Sequence, residues 1–548
     1  MNTNADSTNT NPYEQIIDSL ATGTRLVTTL SLAPPPAALT YIQQVLDTLK
    51  AHPPTPDIYL DVLEQLRRPL QTVVTELAPL YRDKPLQLID RSETLFLQVV
   101  GTLRKMYRGY DYCAQFIKGA SHSDEHEFAR LLALGLYRSL YYASLFVCEY
   151  YYARQELPTG IWQEVHHFYD EAQQHELTEK RVMDTLDSDK VAPTCANLYV
   201  ALLLFEITNP YSYDARDQAL IRHWALLWSS LVSIFPVESV LDIPPLIVDL
   251  AQDKPLHPAS NSIVSDKAHF IDTFGLTTQM KEIRESLADQ TDFVELKTLK
   301  LGSETGKGHA RRLLGKLLMP WGLSTSPRRF QRYGTTQGQV KVCSSFEHMH
   351  RAISGDDFKQ PGSLEAPGFT SNGNLGAGFA TVDASAAVGS WHTHQASPFP
   401  SSAWDVVNYS ANGFRLFRQL AGLQIAHSQL LALCQDSQRY LLGEVRWLMQ
   451  DTNEGCLHMG VTMFPGIPKA AAVRPEDLLQ GAGEPYLRAF LLPGLEKTKT
   501  PPTLVLPIGL YRPQRKLSLA TGEEEIQIVT LDKLWQRGLD FEIVSFKD

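Results

Sequence analysis

The hydrophobic period of this chain changes once, near residue 320, and that change sets what it can fold into. From Tyr13 to about Met319 apolar residues recur at i, i+3, i+4 and i+7, the stripe that a helix buries. Tyr41–Leu49, Asp61–Leu77 and Leu95–Phe116 follow this spacing. Further helices are expected at Ile161–Gln174, Ala196–Thr208, Arg216–Ser233, Phe270–Ala288, Thr291–Leu301 and His309–Leu318. The stretch from about Asp124 to Arg154 is apolar nearly all round, through Phe128, Leu131, Leu132, Leu136, Leu140, Tyr141, Leu145 and Phe146, so it should lie buried at the centre. Ser121 and Asp124 fit a capping box ahead of it. Helices separated by proline-containing turns stack as αα-hairpins, in the manner of helical-repeat proteins, although no fixed period or consensus is present. Pro236, Pro244, Pro245, Pro255 and Pro258 mark 236–266 as a linker or a short extended segment packed on the helices. Met319-Pro320-Trp321-Gly322 then breaks the last helix.

Beyond this break the pattern is that of strands. Val340–Val342, Phe414–Leu416, Leu423–Ala426, Tyr440–Trp447 and His458–Phe464 read so, with a polar turn from Gln450 to Gly455. Ser345–Ile353 reads as a helix, and Gly362–Gly389, rich in Gly, Ser, Ala and Asn, as a flexible excursion within an insertion of about 344–403. Thr503–Leu506, Lys516–Leu519, Glu525–Val529 and Phe541–Val544 form a second small β unit, packed on the first or extending it. The expected organisation is multidomain: a disordered polar tail over 1–12, an all-α, helical-repeat-like domain over 13–319, a β domain over 320–467 and a C-terminal β extension over 468–548.

Composition narrows the function. A length of 548 residues implies several domains, and a net charge of −11 disfavours binding to a long polyanion. Against that background Lys307, Arg311, Arg312, Lys316, Arg328, Arg329 and Arg332 form a local basic cluster, opposed between 301 and 332 only by Glu304. Such a patch suits a small dianion. The six cysteines (113, 148, 195, 343, 434 and 456) have no CxxC spacing and read as reduced cytosolic thiols. The N-terminus lacks the features of a signal peptide, and the apolar runs at Leu140–Ala153 and Leu198–Phe205 are too short or too interrupted to span a bilayer.

Within the cluster, Arg328 and Arg332 stand four apart, and Asn408, Ser410 and Gly413 follow downstream at the spacing N-x-S-x-x-G. Arginine bonds bidentately to phosphate oxygens or to guanine O6 and N7, and its planar head stacks on a base. Asn408 and Ser410, two apart on a strand, present an amide and a hydroxyl on one face. Gly413 permits a turn with positive φ or close approach of backbone to ligand. R-x-x-x-R followed by N-x-S-x-x-G resembles the signature of the PilZ domain, a small bacterial β-barrel that is a receptor for cyclic di-GMP. The strand ending Val445-Arg446-Trp447, and the later one that begins Gly460-Val461 and ends in Phe464, read like the later part of such a barrel. The interval between Arg332 and Asn408 is longer than usual for that family, which bears on the shape of the barrel mouth.

The resemblance implies a PilZ-type antiparallel barrel over 320–467 that clamps cyclic di-GMP with Arg328, Arg329, Arg332, Asn408, Ser410 and Gly413. It implies a cytoplasmic bacterial receptor and not an enzyme, with cyclic di-GMP as ligand, no cofactor, no nucleic-acid polymer and no membrane span. The helical domain would pass the message to a protein partner. Gly322, Ser324, Thr325 and Ser326 make the connector before the arginines pliable, so ligand would order it. The alternative is a helical scaffold whose degenerate barrel no longer binds the nucleotide. His348/His350 and His392/His394 form two H-x-H pairs, but no cysteine or carboxylate is spaced to complete a metal set. His166-His167 with Asp170-Glu171 reads as a solvated polar face. Gly302–Lys307 is one residue short of a P-loop and has no preceding strand. Ser410 has no nucleophile elbow and no identifiable base.

Overall fold

The computed structural model describes residues 17, 19–30, 33–120, 124–183, 186, 193–237, 246–259, 265–288, 299–302, 305–323, 333–334, 338–361, 401–420, 422–434, 439–476, 485–494, 500–522 and 526–547. It divides into two compact units, one of residues 1–329 with 449–454 and one of 330–448 with 455–548. The expected tail over 1–12 lies outside the described residues.

The first unit begins with α1 (Leu20–Leu30), α2 (Pro35–Ala51), α3 (Pro56–Leu77), α4 (Asp90–Gly119), α5 (Glu125–Tyr152), α6 (Ile161–Gln174), α7 (Cys195–Ile207) and α8 (Ala215–Trp228). The central helix is α5, as its apolar girth requires: Leu132, Leu136, Leu140, Phe146 and Val147 are all buried, and α4, α6 and α7 pack on it. It runs from Glu125, near its expected start, and is long and apolar enough to cross a bilayer by length and composition; most of its apolar stretch is buried inside the protein. Its cap is Asp124, accepting the N–H of His126 at 2.9 Å and of Glu127 at 3.3 Å. Ser121 lies outside the described residues. Buried charge is paired. Arg138 Nε donates to Glu64 at 2.8 Å, and Tyr110 donates to the same carboxylate at 2.7 Å. Despite the buried setting, these partners hold Glu64 below the usual carboxylate range.

The stretch 236–266, read as a linker or a short extended segment, contains strands. With its flanks it forms a four-stranded antiparallel sheet of β1 (Ser233–Pro236), β2 (Leu246–Asp249), β3 (His257–Pro258) and β4 (Ala268–Asp272), in the order β1-β4-β2-β3. Pro236 ends β1 and Pro258 ends β3, positions where a missing N–H costs least. Phe270–Asp272, expected as helix, are strand. From the loop after β2, Asp253 caps α6: its carboxylate accepts the N–H groups of Gly160 at 2.6 Å, Trp162 at 3.0 Å and Gln163 at 3.3 Å. His166 is not on a solvated face but fully buried. Its Nε2 donates to Lys254 O at 2.9 Å, which leaves Nδ1 to accept from Tyr199 Oη at 2.8 Å. Helices α9 (Phe274–Ser286) and α10 (Lys307–Trp321) complete the unit. The expected helix at 291–301 falls largely outside the described residues. Pro320 sits inside the last turn of α10, and Gly322 is its C-cap, so the helix ends within the expected break; buried Trp321 donates to Leu204 O at 2.9 Å. Met449–Glu454 belongs to this unit through Gln450, whose N–H bonds to Arg154 O at 2.9 Å and whose O accepts from Glu156 N at 2.8 Å.

The second unit contains β5 (Tyr333–Gly334), β6 (Gln339–Cys343), α11 (Phe346–Ser354), β7 (Ser402–Ser410), β8 (Gly413–Gln419), β9 (Leu430–Cys434), β10 (Tyr440–Asp451) and β11 (Cys456–Met463). The order β5-β7-β6-β9-β10-β11-β8, with a further β7–β8 pairing, joins β6 to β11 into a ring with β5 attached to β7. The insertion expected to be flexible lies, over 362–400, outside the described residues. The C-terminal segment is more than an extension. Strands β12 (Lys469–Pro475), β13 (Leu487–Leu492), β14 (Thr503–Pro507), β15 (Lys516–Ala520), β16 (Gln527–Arg537) and β17 (Phe541–Lys547) close a barrel of their own, in the order β12-β13-β14-β17-β16-β15. Val473, Leu504, Leu506, Leu517, Val529 and Val544 fill it. A common apolar core ties the two β modules: Met349, Leu430, Leu442 and Phe464 pack with Phe490, Val505 and Phe541.

Candidate functional site

The β7–β8 hairpin brings Asn408, Ser410 and Gly413 together. Its register pairs Asn408 with Arg415 and Ser410 with Gly413, and the residue between Val406 and Asn408 is an irregularity of the kind that re-aims side chains. The turn is fastened by its own polar groups: Ser410 Oγ donates to Asn412 Oδ1 at 3.0 Å, and Met463 N–H to Asn412 O at 2.9 Å. Gly413 is not among the glycines with positive φ. It is needed because β11 runs close by: a Cβ there would lie 2.5 Å from Val461 O. Of the two expected reasons for this glycine, positive φ does not apply, and the close approach seen here is to a neighbouring strand.

These three residues line one cavity of about 140 Å³, together with Asn412, Phe414, Arg446, Trp447, Gly460, Val461 and Thr462. The Trp447 ring lies against Gly460, where an added Cβ would fall 1.8 Å from Nε1. Arg415, cross-strand from both Asn408 and Gly460, holds its guanidinium 5.6 Å from the centroid of the Trp447 ring. Arg446 Nη1 pairs with Glu444 at 2.9 Å. Glu444 is buried, whereas half of the Arg446 side chain is open to solvent. The wall thus offers a guanidinium, an indole, a carboxamide and hydroxyls, the groups that grip an anion and the edge of a base.

The sequence motif did not mark Arg446, Trp447, Asn412, Arg415 or Gly460 as site residues. A signal was available. Gly460 interrupts an otherwise bulky strand, and a glycine there implies something lying flat against the backbone. Arg328, Arg329 and Arg332 lie outside the described residues. Tyr333, which follows Arg332 in the chain, pairs with Tyr409 in β7, and Gly334 pairs with Asn408. The rings of Tyr333 and Tyr409 are 5.7 Å apart.

Other sequence candidates are occupied or elsewhere. His350 is buried and bonds to Ala471 O at 3.2 Å, while His392 and His394 lie outside the described residues. All six cysteines are buried free thiols.

Comparison with known proteins adds two family matches and one relative. A family described as "Cyclic-di-GMP receptor FimW, N-terminal domain" matches residues 21–237, and one described as "FimW C-terminal beta-barrel domain" matches residues 471–548. The cyclic-di-GMP receptor FimW of Pseudomonas aeruginosa is 25% identical over 453 residues, covering 73% of this chain and 70% of that protein. No solved structure matches. The chain is therefore similar to the cyclic-di-GMP receptor FimW at both ends, over its first helices and over its closing β-barrel, with the cavity-bearing ring between the two matched regions.

Proposed function

We propose that this chain is a cytoplasmic receptor for cyclic di-GMP, not an enzyme, whose PilZ-type ring holds the ligand and whose helical unit carries the output to a protein partner. The observation that carries the reading is the convergence of Asn408, Ser410 and Gly413 on one cavity with Arg446 and Trp447. The similarity to FimW supports it independently. Asn408 and Ser410 read a guanine edge, and Arg446 neutralises phosphate or stacks on the base. The cavity is smaller than the pockets of about 300 Å³ upward that enclose a drug-sized ligand, so it takes one part of the dinucleotide. Arg328, Arg329 and Arg332 close over the remainder; that they precede Tyr333, paired beside Asn408, supports this role.

The test is titration of the full chain with cyclic di-GMP and, in parallel, cyclic di-AMP. Cyclic di-GMP should bind, cyclic di-AMP much more weakly, because a site built to hydrogen-bond a group rejects an analogue lacking it. Arg328→Ala and Arg332→Ala should each weaken binding by roughly 10- to 150-fold, the loss of one charge-assisted contact. Hydrogen exchange across 320–333 should slow when ligand is added. No binding, or equal affinity for the two dinucleotides, overturns the reading.

A further inference from the structure

We propose that Gln536, on the C-terminal barrel, is a positioning residue for the cavity's Arg446, acting through the buried carboxylate of Glu444. This rests on the reading of the cavity as the cyclic di-GMP site. Among the described residues, the Glu444 carboxylate accepts from Arg446 Nη1 at 2.9 Å and from Gln536 Nε2 at 2.5 Å. The carboxylate is almost fully buried, with a side-chain exposure of 4%, while that of Arg446 is 50%. A buried carboxylate is held by its hydrogen bonds and has little freedom to drift. An exposed arginine has many rotamers, and one fixed anion two residues away in β10 selects among them. The order of constraint therefore runs from Gln536 to Glu444 to Arg446.

The barrel is built to deliver this amide. The pairing of β16 with β17 slips twice, between Leu531 and Leu534 and between Leu534 and Gln536, before Gln536 pairs with Ile543. Such bulges re-aim side chains at the rims of barrels. The same end of the barrel is fixed to the ring independently: Leu539 N–H donates to Ser428 O at 2.8 Å, and Asp540 accepts from Leu430 N–H at 2.9 Å. Gly538 approaches so closely that a Cβ would lie 2.6 Å from Ser428 O. Gln536 thus reaches Glu444 from a clamped support, which gives the second barrel a task in ligand recognition. Without the amide, the Glu444 carboxylate loses one of the two side chains that hold it. It then draws Arg446 toward itself and away from the anion in the cavity.

The experiment is a double-mutant cycle on the full chain with cyclic di-GMP as probe, using Gln536→Leu, Arg446→Ala and the pair, with thermal unfolding of each. Gln536→Leu should weaken binding about 3- to 10-fold, the range of one hydrogen bond, at an unfolding midpoint close to the parent's. In the Arg446→Ala background the same change should have no further effect, because its target is gone. A purely structural role would lower affinity equally in both backgrounds. If Gln536→Leu does not fold, Gln536→Asn, which keeps the amide but is one methylene short, replaces it in the cycle. Unchanged affinity in the Gln536 variant, or full additivity with Arg446→Ala, overturns the proposal while leaving the receptor reading intact. A parent chain that binds no cyclic di-GMP overturns both.

Discussion

Gly413→Ala tests the hairpin that carries the site. The added Cβ would sit 2.5 Å from Val461 O, with Thr462 Cα at 3.7 Å. Carbon–oxygen contacts between neighbouring strands settle at about 3.3–3.6 Å, so the two backbones must part by roughly 0.8 Å. No rotamer relieves this, because the obstructing atom is main chain in β11, which pairs with β8 from Cys456↔Gln419 to Thr462↔Gly413. Overpacking of this kind costs about 1–3 kcal/mol. Separation of β8 from β11 also moves the Ser410–Asn412 turn, since Asn412 O accepts from Met463 N–H at 2.9 Å. Denaturant unfolding of the second unit should show a lower midpoint at unchanged slope. Titration with cyclic di-GMP should show at least a roughly 10-fold loss, the equivalent of about 1.4 kcal/mol. An alanine variant with the parent's midpoint and affinity would refute the close-approach argument and would detach Gly413 from the site.

Gly460→Ala should act differently: the obstacle is the Trp447 ring, which can swing, so stability should fall less than in Gly413→Ala while binding falls as much, read by the same two assays. Burial pushes the His166 imidazole down to about 4, against 6.5 for a free one. Its contribution is therefore complete above about pH 6.5 and lost as pH falls toward 4, a span worth about 3 kcal/mol. Denaturant midpoints of the helical unit across that range should show the slope, and His166→Gln should flatten it. Asp253→Ala removes the carboxylate that receives two N–H groups of α6 and that of Gly160 before it, and should lower the stability of the helical unit by about 1–2 kcal/mol, measured by denaturant unfolding at neutral pH.

Local pattern alone located most of the helices. The 3.6 period of Leu132, Leu136, Leu140 and Val147 is a property of neighbours along the chain, and burial on all sides follows from apolar residues on all sides. The strands β14 to β17 were legible for the same reason, through their apolar alternation. Asn408, Ser410 and Gly413 stay together, because a short motif on one hairpin keeps its spacing in three dimensions.

Other features depended on residues distant in sequence. His166 looks polar and solvated in a row with Asp170 and Glu171, yet Lys254 and Tyr199, from other elements, supply the bonds that allow it to be buried. The prolines of 236–266 signalled a linker, whereas a proline at the end of a short strand loses no ladder bond and leaves the sheet possible. Nor could spacing show that Arg446 and Trp447 share a cavity with Ser410, since strand order in the ring decides which faces meet. The periods and the motif could be read along the chain, because they rest on contacts within a few residues. Closure of the C-terminal strands into a second barrel, and the meeting of its Gln536 with Glu444, could not be read there, because they depend on pairing and packing between strands distant in the chain, as β12 with β15 and β14 with β17.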